Sequence, residues 1–166
     1  AGYRGHKADL FEGGHRVPFI AHWPRVVPPG TRCSQTIGQP DLIATCADIL
    51  NTKLPPGVGE DSVSLLPLLK GRNAYTTGRN ALVHHSNNGS FAIRKGRWKL
   101  LLVPDSGGWS DPKPGKAQGL PRFQLYDMET DPSETTNLQA QHPKIVKELG
   151  QLLRQIVERG RSTHGP

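Results

Sequence analysis

The stretch Gly5-His6-Lys7-Ala8-Asp9-Leu10-Phe11-Glu12-Gly13-Gly14-His15-Arg16-Val17-Pro18 decides how the rest of the chain reads. It sets one lysine, an acid, a glycine pair and an arginine directly ahead of an apolar run, Phe19-Ile20-Ala21-His22-Trp23. Adjacent glycines let the backbone bend or approach a ligand where a side chain would not fit. Lys7 offers a point positive charge, and Arg16 a planar fork suited to a carboxylate or an oxyanion. Pro18 biases Val17 toward extended backbone, so the sequence predicts a passage from loop into a short buried strand over 19–23, closed by Pro24.

Outward from this stretch, composition sets the bounds. The 166 residues suffice for a real core and bury roughly 70% of their unfolded surface. With 34% hydrophobic residues, 19 glycines and 15 prolines, many of them fall in loops. The net charge of +7 is scattered, and the aromatic residues do not interleave with it as on a base-stacking platform, which argues against nucleic acid. No run of 18 apolar residues is present, so no membrane span is expected, and no charged-apolar-small leader is seen. The opening Ala1-Gly2-Tyr3-Arg4, without a starting Met, reads as that of a fragment. Cys33 and Cys46 are too few for a disulfide framework; they read either as a bridge or as two free thiols, with Cys46 in a helix core.

Pro40-Asp41 opens a helix with Leu42, Ile43, Cys46, Ala47, Ile49 and Leu50 on one face, and Asp41 and Asp48 read as structural. Residues 64–71 predict one or two helical turns ending at Gly71, and 72–79 a turn. A meander follows, in which 81–85 and 91–94 flank the hairpin signal Asn87-Asn88-Gly89, Gly96-Arg97 turns into 98–103, and 123–127 is the last strand. Composition makes 104–122 a long flexible loop. Ile145, Val146, Leu149, Leu152, Leu153, Ile156 and Val157 recur at helical spacing after Pro143, and Gly160 stops that helix.

Chemistry-bearing patterns are sparse. None of the seven histidines falls at a metal-ligand spacing, and there is no Gly-x-Ser-x-Gly elbow or P-loop. His84 and His85 are adjacent on a strand and so face opposite sides.

Five blocks in order carry a resemblance. Lys7 with Glu12-Gly13-Gly14, Arg16-Val17-Pro18 and the run to Trp23-Pro24 resembles the second signature of the type I sulfatases, the arylsulfatase-like members of the alkaline phosphatase superfamily. The segment Asp41 to Asp48 with Thr45, then Ser64-Leu65-Leu66-Pro67-Leu68-Leu69-Lys70-Gly71, then Arg94-Lys95-Gly96-Arg97-Trp98-Lys99-Leu100, are similar to later blocks. The last is Leu125-Tyr126-Asp127 with Asp131-Pro132-Ser133-Glu134-Thr135-Thr136-Asn137-Leu138.

The resemblance implies an α/β (α+β) chain, the C-terminal part of an alkaline-phosphatase-like sheet domain over 1–75 and a small antiparallel sheet packed on a terminal helix over 76–166. It implies sulfate-ester hydrolysis, of aryl or sugar sulfates. Lys7 takes the sulfate-contacting, catalytic position, while Glu12, Gly13, Gly14 and Arg16 brace its loop. His84 and His85 are candidates for the substrate entrance. The family's formylglycine nucleophile, in a Cys- or Ser-x-Pro-x-Arg motif, and its calcium ligands have no counterpart here: Cys33 and Cys46 do not match that motif, and no metal ligand is expected in the chain. The implied partners are a small-molecule or glycan sulfate ester and the missing N-terminal part of the same protein. The parent is expected to be exported (periplasmic, extracellular or lysosomal), and the chain alone inactive. An edge left open at 19–23 is expected to favour self-association. Two rival classes share these residues, a phosphate or phosphonate ester hydrolase of the same superfamily and a non-catalytic polyanion-binding module.

Overall fold

Two alternating runs that meet at Gly96-Arg97 form the hairpin around which one part of the molecule is built. The computed structural model describes residues 2–72 and 79–163. In it, β1 (Leu82–His85), β2 (Phe91–Lys95), β3 (Trp98–Leu101) and β4 (Gln124–Asp127) form a four-stranded sheet in the order β1-β2-β3-β4. β2 runs antiparallel to β3, with Ile93 opposite Leu100 and Arg94 opposite Lys99. β4 runs antiparallel to β3, with Leu125 opposite Leu100 and Tyr126 opposite Lys99. Gly96, at φ +56°, supplies the left-handed conformation that the tight β2–β3 turn requires.

Successive strand side chains point to opposite faces, so the sheet presents two different surfaces. One carries Ala92, Leu101 and Tyr126 and is covered by Leu10 and Phe11 of the N-terminal segment, together with Met128. The other carries Ile93, Leu100 and Leu125, none of which is exposed, and Trp98. α4 (Pro143–Arg159) lies on that second face, where Ile145, Leu149 and Leu152 line one hollow with Lys95 and Trp98. Its stripe Leu149, Leu153 and Ile156 is buried, and Gly160 at φ +70° ends it. The small antiparallel sheet and the C-terminal helix are thus as expected.

Residues 1–17 and 83–158 make one compact unit, and residues 18–82 with 159–166 make another. The boundary expected at 75/76 lies outside the described residues, as does most of the turn expected over 72–79. The second unit holds α2 (Asp41–Ile49) and α3 (Leu66–Leu69). Asp41, wholly buried, does not cap its own helix. Its carboxylate accepts from Gly38 N at 2.7 Å and Val63 N at 3.1 Å, and it pairs with both terminal nitrogens of Arg79. Thr45 Oγ1 donates to Asp41 O (2.6 Å) and accepts from Leu65 N (2.9 Å), which ties α2 to the turn ahead of α3.

Three expectations are corrected. No strand forms over 19–23: Ile20 is 89% exposed, and a strand needs a neighbour for its ladder, whereas all four strands of the described residues belong to the sheet above. The apolar face read for α2 is largely uncovered, with Leu42, Ile43, Ile49, Leu50 and Cys46 exposed and only Ala47 buried, because the helix packs chiefly through Asp41 and Thr45. Residues 104–122 form neither helix nor strand, but 105–108 are buried rather than loose, since Ser106 O accepts the N–H of Leu10 at 2.9 Å. Both cysteines are free thiols.

Candidate active site

The loop of residues 5–16 closes on itself because glycine stands wherever a side chain would collide. A Cβ on Gly13 would run into the Gly5 carbonyl, and one on Gly14 into the Asp9 carbonyl. That freedom lets α1 (Glu12–His15), a single helical turn, fold back over Arg4, whose carbonyl accepts the Gly13 N–H at 2.8 Å. Between Lys7 and Asp9, Ala8 sits at φ +89°, a conformation costly for a residue with a side chain and one that persists only where its surroundings impose it. Asp9 imposes much of it. Its buried carboxylate accepts from His6 N (2.8 Å), Trp109 N (2.7 Å), Ser110 N (3.1 Å) and the Ser110 hydroxyl. Burial opposes its charge, but the Ser110 and His6 hydrogen bonds outweigh burial and hold the carboxyl well below the usual carboxylate range.

Beneath the loop lies a buried charge cluster that residue patterns did not reveal. Lys99 Nζ, on the inner face of β3, stands 3.0 Å from Glu12 Oε1, 2.8 Å from Glu134 Oε1 and 3.0 Å from His15 Nε2. Glu12 also faces Arg16 at 3.2 Å and Arg94 at 3.6 Å, and its own N–H donates to Glu134 Oε2 at 2.6 Å. One ammonium therefore serves two carboxylates. Burial disfavours charge on Glu12, yet Lys99, His15 and Arg94 hold its carboxyl below the ordinary value; burial pushes Glu134 up, against the pull of Lys99. Burial and then Lys99 press the His15 imidazole down to about 4. His84 stacks on it with ring centroids 3.8 Å apart and is pressed to about 2, by burial first and then by His15 and Lys99. Both rings approach the Leu10 carbonyl, at 3.2 and 3.3 Å.

Above this cluster opens a hollow of about 290 Å³, lined by Lys7, Asp9, His15, His85, Asn87 and Trp109 among others. The sequence-read residues thus divide. Lys7, exposed, and His85, its strand neighbour's opposite, share the hollow with Gly14. His84 turns inward to His15, while Glu12 is buried and Gly13 packs closely against the Gly5 carbonyl. Arg16 is half-exposed, paired with Glu12 and stacked 4.6 Å over the Tyr3 ring, and does not line the hollow. Lys99, Glu134, Asp9 and Trp109 were not singled out. Lys99 is a charged residue inside the apolar strand Trp98-Lys99-Leu100-Leu101, and Lys99 and Glu134 both fall in blocks of the family resemblance, whereas no comparable signal marks Asp9 or Trp109.

Over 160 residues the chain is 36% identical to an N-acetylgalactosamine-6-O-sulfatase of Bacteroides thetaiotaomicron, which accounts for 95% of this chain. It belongs to the sulfatase family. Arylsulfatase A of Bos taurus is 30% identical over 162 residues, 90% of this chain. A Bacteroides thetaiotaomicron structure from work on glycosaminoglycan metabolism superposes with a TM-score of 0.78 at 35% identity, over 93% of this chain and 32% of that one. Ps i-CgsB, solved with k-i-k-neocarrahexaose, shares the fold at a TM-score of 0.69 and 24% identity. The sulfatase chain spans about a third of these proteins, 30% and 31% of the two curated relatives, and its fold is the alkaline-phosphatase-like one of its neighbours. No family model matches it.

The residues present do not fit a calcium ion. Among the described residues no group of three or more His, Cys, Asp or Glu side chains is placed to hold a metal. The two acids nearest the hollow are already committed, Asp9 to four hydrogen-bond donors and Glu12 to cations. Hard oxygen ligands free for a cation are what such a site needs.

Proposed function

We propose that this chain forms one wall of the active site of a sulfate-ester hydrolase and corresponds to the C-terminal portion of that enzyme. The observation that carries the reading is the hollow where Lys7 and His85 meet, in a chain 36% identical to a named sulfatase. Lys7 Nζ holds a sulfate oxygen and lies where it can stabilise negative charge on the ester oxygen as its bond to sulfur breaks. A fixed ammonium aimed at a developing oxyanion is worth a few kcal/mol where water is scarce. His85 contacts the substrate from the sheet side. Glu12, Gly13, Gly14 and Arg16 set the position of the Lys7 loop, Glu12 through Lys99 below. The formylglycine nucleophile and the calcium ligands typical of the family lie outside these residues, in keeping with the span of about a third of the relatives. The exposed apolar side chains of 19–20 and α2 would then be covered by the remainder of the enzyme.

Parallel assays of matched sulfate and phosphate esters on the complete enzyme that carries this chain test the reading. A preference for the sulfate ester of more than tenfold is expected, and the reverse preference identifies a phosphate or phosphonate hydrolase instead. The 166 residues alone are expected to show no turnover, and a calcium-dependent sulfatase activity from them contradicts the assignment of the nucleophile elsewhere.

A further inference from the structure

Trp109 is half-exposed, yet its backbone is among the most firmly held in the loop 105–110. Its N–H donates to Asp9 Oδ1 at 2.7 Å, and Ser110 holds the same carboxylate through both its N–H and its hydroxyl. Gly108 admits this approach, because a Cβ there would run into the Ala8 carbonyl and the Asp9 carboxylate. Gly107, at φ +66°, makes the bend before it. The same carboxylate holds His6, the residue before Lys7, through its N–H at 2.8 Å. One buried acid therefore joins the lysine loop to the tryptophan loop, and the indole stands at a set place on the rim of the Lys7 hollow. The indole meets the His6 ring edge-on, with centroids 6.4 Å apart, and half of it remains exposed.

The other walls of the hollow are polar. Facing Trp109 around it are Lys7, His15, His85, Ser86 and Asn87, and no second large apolar side chain lines it. A flat aryl ring would leave one of its faces against polar groups. A pyranose matches the asymmetry: its C–H face covers an indole while its hydroxyls bond to the polar side.

We infer that Trp109 is the specificity-determining platform for a sugar ring, so that the substrate of the Lys7 site is a saccharide sulfate rather than an aryl sulfate. This rests on the reading of the hollow as a sulfate-ester site. The expected order of contact is the sulfate on Lys7, the ring face on Trp109 and ring hydroxyls toward Asn87 and His85.

The test follows the Trp109 indole N–H in NMR spectra of the complete enzyme that carries this chain, its nucleophile substituted so that the sugar sulfate is bound and not hydrolysed, with the signal assigned by Trp109→Phe. Titrants are galactose 6-sulfate, phenyl sulfate and inorganic sulfate, and the variants are Trp109→Ala and Lys7→Ala. Galactose 6-sulfate is expected to move the Trp109 signal, to bind more tightly than phenyl sulfate, and to lose at least tenfold in affinity in Trp109→Ala, while inorganic sulfate changes less than twofold. An unmoved Trp109 signal, a change under twofold in Trp109→Ala, or tighter binding of phenyl sulfate overturns the inference. Galactose 6-sulfate binding that depends on Trp109 but survives Lys7→Ala unchanged overturns instead the reading of the hollow as a sulfate site.

Discussion

Lys99 carries the charge balance under the candidate site. Its ammonium is wholly buried between Glu12 and Glu134, at 3.0 and 2.8 Å, and no other cation touches both acids among the described residues. Removing one partner of a buried ion pair typically costs about 3–5 kcal/mol, because the remaining charge is left without compensation. Lys99→Met is therefore expected to lower the unfolding free energy by about that much in urea titrations, and a loss under about 1 kcal/mol would mean that the cluster is solvated. Gly14→Ala belongs to the same scale. Its new methyl group would collide with the Asp9 carbonyl, so a lower melting temperature and a displaced Lys7 loop are expected. Lys7→Ala, at an exposed position, should change stability by no more than about 0.5 kcal/mol. A stability loss in Lys7→Ala comparable to that of Gly14→Ala would show that Lys7 holds the loop rather than serving a ligand.

Among the elements, α4 gives the sharpest contrast between faces. Leu149 and Leu153 are 3% and 2% exposed, whereas Val157, two positions from the helix end, is 59% exposed. Leu149→Ala or Leu153→Ala should cost about 2–5 kcal/mol, and Val157→Ala about 0.5 kcal/mol or less, by chemical denaturation. Equal costs would mean that the helix is not seated on the sheet by that stripe. This helix was legible in the sequence because its signal is local: apolar residues at a helical period, then a glycine stop. The hairpins were legible for the same reason, and the opposite directions of His84 and His85 followed from strand alternation alone. What failed depends on distant partners. The run Phe19-Ile20-Ala21-His22-Trp23 is as apolar as many strands but has no neighbour to pair with, and α2 turns its polar Asp41 and Thr45 inward because Arg79, Val63 and Leu65 await them there. Likewise the Lys99–Glu12 and Asp9–Trp109 contacts join residues 87 and 100 positions apart, and no spacing rule announces them.

At the scale of the whole molecule, the buried histidines set a pH dependence. Unfolded histidines titrate near 6.5, whereas folded His15 does so at about 4 and His84 at about 2. Between those values the unfolded chain binds more protons, so stability falls as pH falls below about 6.5. Glu12, held low in the folded state, adds to the loss in stronger acid, while Glu134, pushed up, works in the opposite direction. The urea midpoint is expected to drop steadily from pH 6.5 to pH 4.5. A flat profile would place both imidazoles in water. The Lys7 loop rests on this cluster through Glu12 and His15, so acid that charges the histidines should loosen the hollow as well as the core. The proposed action of Lys7 on the sulfate ester is read directly by comparing kcat of Lys7→Ala with that of the unaltered complete enzyme, with circular dichroism as the control for folding. A fall of about 10²–10³ in kcat with unchanged folding is expected for the loss of one charged group at the reacting oxygen. A kcat within threefold of the unaltered enzyme would rule out that role and leave Lys7 an ordinary surface charge.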